Sequence, residues 1–257
     1  MDKALKNKPK NNLSLLQYKV TQEGATEPPF SHKGFEKDTM LLADEVFHEE
    51  IGFGNNFAVL SGPGFAKEIA NGLPAAVSLA SRDVEFGMKV VKALHNKRLR
   101  LYRSVDVTGV LVGGAVKNIV AIAAGICDGL SLGESARAAV VTRGLSEMIR
   151  FGQSCGGNSQ TFQGLAGIGD LTLSCTSNLS RNRKLGLLLA KGLGIDESLK
   201  SLGLLAEGAS SARELLNLSS QAKIEMPIAR SVVDVMEGMS PKKVVRELLD
   251  RAPRDDF

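Results

Sequence analysis

The pattern of apolar residues changes near residue 107, and this change restricts the chain to a two-part architecture. Before it, short apolar runs alternate with helical patterns; after it, only helical patterns follow. Strands that alternate with helices favour a mostly parallel sheet, whereas a long helical stretch builds its own core. The sequence therefore predicts an α/β part over residues 31–107 and a larger all-α part over residues 108–257. Residues 1–30 contain Pro and Gly without periodicity and are interpreted as a disordered arm.

The predicted elements have clear local signals. Strands are predicted at 57–62, 75–81 and 98–104, with helices at 38–50, 65–72 and 84–95. In the all-α part, helices are predicted at 108–127, 134–153, 160–166, 181–191, 196–203, 211–222, 226–237 and 241–250. Three helix starts carry capping signals: Ser180, the capping box Ser211-x-x-Glu214, and the pair Ser240-Pro241.

Charge, cysteine and histidine content narrow the function classes. The chain has 32 Lys and Arg against 28 Asp and Glu, and this slight excess does not call for a nucleic acid or an anionic membrane as partner. Apart from four lysines among the first ten residues, we expect the basic residues to be scattered along the chain. Isolated Cys127, Cys155 and Cys175 indicate buried, reduced thiols and a cytoplasmic location. The three histidines lack the spacing of ligands, so no metal site is predicted.

Lys117 stands in the middle of the small, apolar run "VLVGGAVKNIVAIAAGI", residues 110–126. The run has nearly the length of a membrane span, but a central charge is costly in a bilayer, so we predict a buried helix and no membrane span. Several glycines in a helix indicate tight packing or a ligand near the backbone. A desolvated lysine amine is a usable proton donor or base. The alternative is a lysine that extends from a core helix to solvent.

The segment Ser180-Arg181-Asn182-Arg183-Lys184 opens a predicted helix with basic residues. Cations are unfavourable at the positive end of the helix dipole unless an anion is bound there. Arginine can bind a phosphate through two hydrogen bonds. The segment therefore indicates a phosphate site, and the alternative is a capped, solvated first turn.

Three further positions carry weaker signals. Asp170 follows Gly169 in apolar surroundings, which suits either a lysine partner or an Asx turn. Gly62 and Gly64 lie between a strand and a helix, where open α/β sheets bind ligands, although they can equally form a plain turn. No strand in the chain is followed by G-x-G-x-x-G, so no dinucleotide fingerprint is present.

With these motifs in order, the sequence resembles bacterial-type NAD(P)-dependent glycerol-3-phosphate dehydrogenases from about Ser31 to about Ala252. The segments that carry the resemblance are "SHKGFE", "AVLSGPGFAKEIANGLPAAVSLAS", "GGAVKNIVAIAAGICDGLSLGESARAAVVTRGLSEM", "GLAGIGDLTLSCTSNLSRNRKLG" and "LLAEGASSARELL…EMPIARSVVDVM". The resemblance implies a Rossmann-like parallel sheet, with its N-terminal part missing before Lys33, followed by the helical substrate domain.

The resemblance also implies a reaction and roles for residues. The reaction is the reversible reduction of dihydroxyacetone phosphate to sn-glycerol 3-phosphate, a glycerophospholipid precursor, with NAD or NADP as cofactor. Lys117 is implied as the catalytic acid/base and Asp170 as its catalytic partner. The implied substrate-binding residues are Lys33, Gly62, Gly64, Lys117, Asp170, Ser180, Arg181 and Asn182. The implied cofactor-binding residues are Lys33, Ala66, Arg181, Leu205 and Glu207.

Two departures leave alternatives open. Gly64 stands where the family usually has Ser or Thr, and the glycine-rich fingerprint that binds the cofactor's pyrophosphate is absent. One hypothesis is an active oxidoreductase, which the resemblance implies to be a homodimer. The second is a truncated, catalytically silent remnant that folds and binds phosphate or a partner subunit. The third, an interaction module without enzymatic activity, has no positive feature in the sequence.

Overall fold

The computed structural model describes residues 41–52, 56–203 and 206–252. The predicted arm over residues 1–30 and two predicted site residues, Lys33 and Leu205, lie outside these ranges. Every described residue belongs to one compact unit, Lys33–Phe257.

The first part of the described chain alternates helices and strands, and the second part is helical. The α/β elements are α1 (Ala43–Ile51), β1 (Val59–Ser61), α2 (Ala66–Ala70), β2 (Ala75–Ala80), α3 (Val84–Leu94) and β3 (Leu99–Ser104). The helical elements are α4 (Val107–Gly129), α5 (Glu134–Ser154), α6 (Ser159–Phe162), a π-helical turn (Leu165–Gly169), α7 (Asp170–Thr176), α8 (Arg181–Ala190), α9 (Ile195–Leu202), α10 (Glu207–Gln221), α11 (Pro227–Met236) and α12 (Pro241–Leu249). The predicted combination of an α/β part with an all-α part is confirmed.

The three described strands form one sheet in the order β1-β2-β3. β2 and β3 are parallel, with Ala75 opposite Leu99, and helix α3 joins them. β1 instead pairs antiparallel with β2, with Val59 opposite Ala80. The alternation of strands and helices did not predict this reversal. The connection from β1 to β2 contains only the five-residue helix α2, about 8 Å long, and the chain turns back beside β1 instead of crossing over the sheet.

Helix α4 forms the centre of the helical part. It is the one helix among the described residues that is long and apolar enough to cross a membrane, and 78% of its apolar window is buried inside the protein. Its residues Val112, Ile119 and Ile122 are completely buried in the main core, to which Leu171 and Leu215 of other helices contribute. The prediction of a buried core helix is confirmed by this packing.

The sheet and the helical part share a small core. Ala80, at the end of β2, packs with Val107 and Val110 of the first turns of α4 and with Ala166 of the π-helical turn. This cluster brings the end of β2 to the same side of α4 as the π-helical turn. The predicted domain boundary at residue 107 stays a prediction. Residues on both sides of it contact one another in this small core.

Most helix boundaries agree with the predicted ones, and the exceptions have local causes. The capping box at Ser211 is wrong: α10 begins at Glu207, and the Ser211 hydroxyl donates within the helix to the Glu207 carbonyl at 3.1 Å. Helix α7 was not predicted, because Gly167 and Gly169 before it lower helix propensity. Ser180 caps α8 as predicted, since its hydroxyl oxygen accepts from the Arg183 backbone N–H at 3.3 Å.

Glu147 is a buried carboxyl that local sequence patterns did not single out. It is only 2% exposed, and its oxygens accept the backbone N–H groups of Ile228 at 2.7 Å and Ala229 at 3.2 Å. It thereby caps the first turn of α11, where the helix dipole favours a negative charge. Burial is the larger effect, and it raises the pKa of Glu147 from 4.5 to about 7.

We expect Glu147 to make stability depend on pH. Because its folded-state pKa of about 7 lies above the ordinary value of 4.5, its contribution is fully present below pH 4.5 and is lost as pH rises through about 7. The loss is on the order of 3 kcal/mol. Urea unfolding at successive pH values should show this fall in the wild type and not in Glu147→Gln.

The exposed Glu237→Gln is the control for this measurement and should retain the wild-type pH dependence. An equal fall in stability for wild type and Glu147→Gln would show that Glu147 does not cause it.

Candidate functional site

Lys117 and Asp170 form an ion pair at the middle of α4. The Lys117 amine donates to the Asp170 carboxylate, and the two side chains are 20% and 5% exposed. A buried carboxylate without a partner would be costly, so each charge makes the other tolerable. The Lys117 amine therefore binds a carboxylate of the protein and does not extend into solvent. The carboxylate of Asp170 makes this ion pair.

The π-helical turn positions Asp170, which is the first residue of α7. The turn lies directly on α4, since a Cβ atom on Gly113 would come within 2.6 Å of the Ala166 carbonyl oxygen. Gly113 and Lys117 are four residues apart and share one face of the helix. The missing side chain at Gly113 thus allows the turn to bring Asp170 to the lysine.

The loop after β1 reaches the same place. Pro63 lies against Gly169: a Cβ atom on Gly169 would be 3.4 Å from the proline ring. Gly62 has φ +148°, and a side chain on it would meet the Val77 Cα atom at 2.9 Å, so only glycine fits. At Gly64 an added Cβ would be 3.0 Å from the terminal methyl of Ile69. The predicted loop residues Gly62 and Gly64 are therefore near Asp170, and Ala66 follows as the first residue of α2.

The second half of the site joins α4, α8 and α10. Asn118, next to Lys117, donates through Nδ2 to the Glu207 carboxylate at 3.2 Å. Arg181 donates to the other oxygen of Glu207 at 3.4 Å. The side chains of Arg181 and Glu207 are each 40% exposed, so both remain accessible. Asn118 was not predicted; its place beside Lys117 was the signal that could have identified it.

Asn182 holds the start of α10 against the start of α8. Its Oδ1 accepts the Gly208 backbone N–H at 3.1 Å, and Asn182 is buried. A Cβ atom on Gly208 would lie 2.8 Å from the Asn118 carbonyl oxygen. The N-terminal ends of α8 and α10 therefore meet beside residues 117 and 118, with the positive ends of both helix dipoles on this side.

Arg183 holds α8 in its position beside α4. Its Nε and one terminal nitrogen donate to Asp128 Oδ2 at 2.9 and 2.6 Å, and its other terminal nitrogen donates to Asn178 at 2.8 Å. Arg137 donates to the second Asp128 oxygen at 2.9 Å. Asp128 thus holds two arginines, and neither this carboxylate nor its role was predicted from the sequence.

The cysteines take no part in this cluster of polar residues. Cys127 and Cys175 are buried, as predicted, whereas Cys155 is exposed, and all three are free thiols. Burial raises the pKa of the Cys175 thiol to about 12, so this thiol stays protonated. Within the described ranges, no group of three or more His, Cys, Asp or Glu residues is placed to hold a metal ion.

The chain matches two halves of one protein family. Residues 16–87 match the family model described as NAD-dependent glycerol-3-phosphate dehydrogenase N-terminus, and residues 106–246 match the corresponding C-terminus model. The first match begins at residue 16, upstream of Ser31, the residue from which the resemblance was identified in the sequence. Residues 16–30, interpreted as part of an arm, therefore fall inside the family match.

Individual relatives carry the same name. The glycerol-3-phosphate dehydrogenase [NAD(P)+] of Nitrosospira multiformis is 51% identical over 226 residues, which are 88% of this chain and 68% of the relative. That of Thiobacillus denitrificans is 49% identical, with 88% and 69% covered. The crystal structure of glycerol-3-phosphate dehydrogenase from Coxiella burnetii superposes with a TM-score of 0.81 at 45% identity and covers 85% of this chain and 67% of that one.

We expect Asp128 to stabilise the fold more than an ordinary surface ion pair does. Asp128→Ala leaves Arg183 without its carboxylate and Arg137 with only the exposed Glu134, at 3.5 Å. Removal of one partner from a largely buried ion pair costs roughly 3–5 kcal/mol. Urea unfolding followed by circular dichroism measures this loss. Glu247→Ala is the matched control, because it breaks the exposed pair with Lys243, and such a pair contributes about 0.5 kcal/mol or less. Equal losses in both variants would contradict the role of Asp128.

Proposed function

The chain belongs to the NAD-dependent glycerol-3-phosphate dehydrogenase family, and from this premise we propose that it reduces dihydroxyacetone phosphate reversibly to sn-glycerol 3-phosphate. The observation that carries the proposal is the pairing of Lys117 with Asp170 next to the start of α8. One side of the site offers an acidic ammonium group to a carbonyl oxygen. The other side offers a cationic helix start to a phosphate. A small phosphorylated ketone needs both.

Lys117 acts as the proton donor in this proposal. Its ammonium group polarises the carbonyl oxygen of the substrate and transfers a proton to it as the carbon becomes reduced. Asp170 positions the amine and keeps a negative charge beside it. In the reverse reaction the neutral amine accepts the proton of the hydroxyl group.

Ser180, Arg181 and Asn182 bind the phosphate. The first backbone N–H groups of α8 have no partners within the helix and suit anionic oxygens. The Arg181 guanidinium adds a charge-assisted donor. Since Asn182 Oδ1 is used by Gly208, its Nδ2 is the donor directed to a phosphate oxygen. The backbone of Gly62 and Gly64 borders the substrate from the loop after β1, and Gly64 contributes no hydroxyl group.

The residues around Glu207 fit the nicotinamide end of NAD or NADP. A carboxylate, a guanidinium group and an amide meet there. Together they offer acceptors and donors that suit the nitrogen and the oxygen of a carboxamide group. When bound, the cofactor supplies the hydride. Arg181, Glu207 and Ala66 are the described residues assigned to it, with Lys33 and Leu205 assigned by the family resemblance. The hypothesis of a silent remnant is no better supported by the comparisons than the dehydrogenase.

We further propose that the protein works as a homodimer in the cytoplasm and supplies sn-glycerol 3-phosphate for glycerophospholipid synthesis. The three free thiols support a reducing compartment. The burial of α4 inside the protein supports the absence of a membrane span. The dimer and the metabolic role rest on the family resemblance.

The proposal predicts that the purified chain oxidises NADH or NADPH when dihydroxyacetone phosphate is added, measured by absorbance near 340 nm. Lys117→Arg keeps a positive charge for Asp170, but arginine does not release its proton. Turnover should therefore fall by roughly 10²–10⁴-fold, while sn-glycerol 3-phosphate still binds in isothermal titration calorimetry. Lys223→Arg, on the surface, is the control and should leave turnover unchanged.

Near-normal turnover in Lys117→Arg would rule out proton transfer by this lysine. A folded wild-type chain that binds sn-glycerol 3-phosphate but never oxidises the cofactor would favour the silent remnant.

A further inference from the structure

A short segment of the chain carries more positive charge than the whole protein. Residues 86–104 contain Lys89, Lys92, Lys97, Arg98, Arg100 and Arg103 and no Asp or Glu, whereas the full chain has a formal net charge of +4. The overall balance therefore hides a local concentration of cations. Asp83 and Glu85 precede the segment at the N-terminal end of α3, and Asp106 follows it as the N-cap of α4.

The fold gathers most of the segment's cations on one surface. α3 packs against β2 and β3, and β3 is one of the two edge strands among the three described ones. Between α3 and β3 lies an open groove of about 500 Å³ lined by Met88, Lys89, Val91, Lys92, Leu101 and Arg103. We call this groove, together with Leu94, Lys97 and Arg98, the α3–β3 basic face. Arg100 alternates with Leu101 along β3 and therefore lies on the other side of the sheet.

The cations of the α3–β3 basic face are not neutralised locally. Within the described part of the chain, none of these five cations forms an ion pair with a carboxylate. Apolar side chains are exposed among them, with Met88 58% and Leu94 43% exposed. Protection of an edge strand from aggregation would explain positive charge on β3. It does not explain Lys89 and Lys92, which lie on α3.

We propose that the α3–β3 basic face binds an anionic lipid surface without crossing it. Basic side chains interspersed with exposed apolar ones are typical of protein elements that lie in the membrane interface. A second copy of the chain is disfavoured, since two such faces would repel each other. A single-stranded nucleic acid is disfavoured because stacking needs several exposed aromatic side chains. Residues 86–104 contain Phe86, which is partly buried, and Tyr102.

The face is separate from the candidate active site, so the proposal does not depend on the proposed function. Lys117, Asp170, Arg181 and Glu207 take no part in lining the groove. Lys117 and Arg181, the two cations of the candidate active site, are each paired with a carboxylate. Lipid binding and dehydrogenase activity can therefore be tested independently on one protein.

The test is co-sedimentation of the full chain with vesicles. We expect binding to phosphatidylcholine vesicles in which about a third of the lipid is phosphatidylglycerol, and not to pure phosphatidylcholine. Lys89→Glu/Lys92→Glu should weaken this binding roughly tenfold or more, and raised salt should weaken it as well. Lys223→Glu/Lys242→Glu is the matched control, since it changes the same charge elsewhere on the surface and should bind like the wild type. Met88→Ser should also weaken binding, although it leaves the charge unchanged.

Circular dichroism of each variant confirms that it is folded. Absence of binding to anionic vesicles, or equal binding by both charge-reversal variants, would overturn the proposal. Binding to polyglutamate or DNA that persists in Met88→Ser, with no binding to vesicles, would overturn it in favour of a polyanionic partner.

Discussion

The ion pair between Lys117 and Asp170 is the interaction on which the candidate site depends. It places a cation in the middle of a helix that is mostly apolar and mostly buried. Such a charge is tolerated only with a partner close by, and the partner comes from a turn 53 residues later in the chain. The absence of a side chain at Gly113 lets that turn contact the helix backbone. Packing and electrostatics therefore determine the same geometry.

A second close contact places the phosphate-binding half of the site. A Cβ atom on Gly125 would lie 2.1 Å from the Arg183 carbonyl oxygen, and one on Gly186 would lie 2.1 Å from the Ile122 carbonyl oxygen. Helices α4 and α8 thus touch backbone to backbone. This explains the glycines that lower helix propensity in α4. Two hydrogen bonds from Arg183 to one oxygen of Asp128 hold the first turn of α8 against α4. In the same turn, Arg181 contacts Glu207 and Asn182 accepts from Gly208.

Cations are used in two ways in this molecule. In the helical part, Lys117, Arg181 and Arg183 each contact a carboxylate, which holds the side chain in a defined position. On the α3–β3 basic face, five cations have no such partner among the described residues and stand beside exposed apolar groups. Paired cations suit recognition of a small ligand, because their positions are defined. Unpaired ones suit a large anionic surface, where summed charge matters more than geometry.

The sequence by itself determined the division into an α/β and an all-α part, most helix boundaries and the identity of the unusual residues. These follow from local physics: the helix cap at Ser180, Pro241 at the first position of α12, and a lysine in an apolar run are all visible within a few residues. Only the tertiary structure decided the antiparallel pairing of β1, the capping of α11 by Glu147, and the bond from Asn118 to Glu207, 89 residues away. Such contacts join segments that are distant in the chain, and their energies depend on burial, which the packing of the whole core establishes and no local pattern contains.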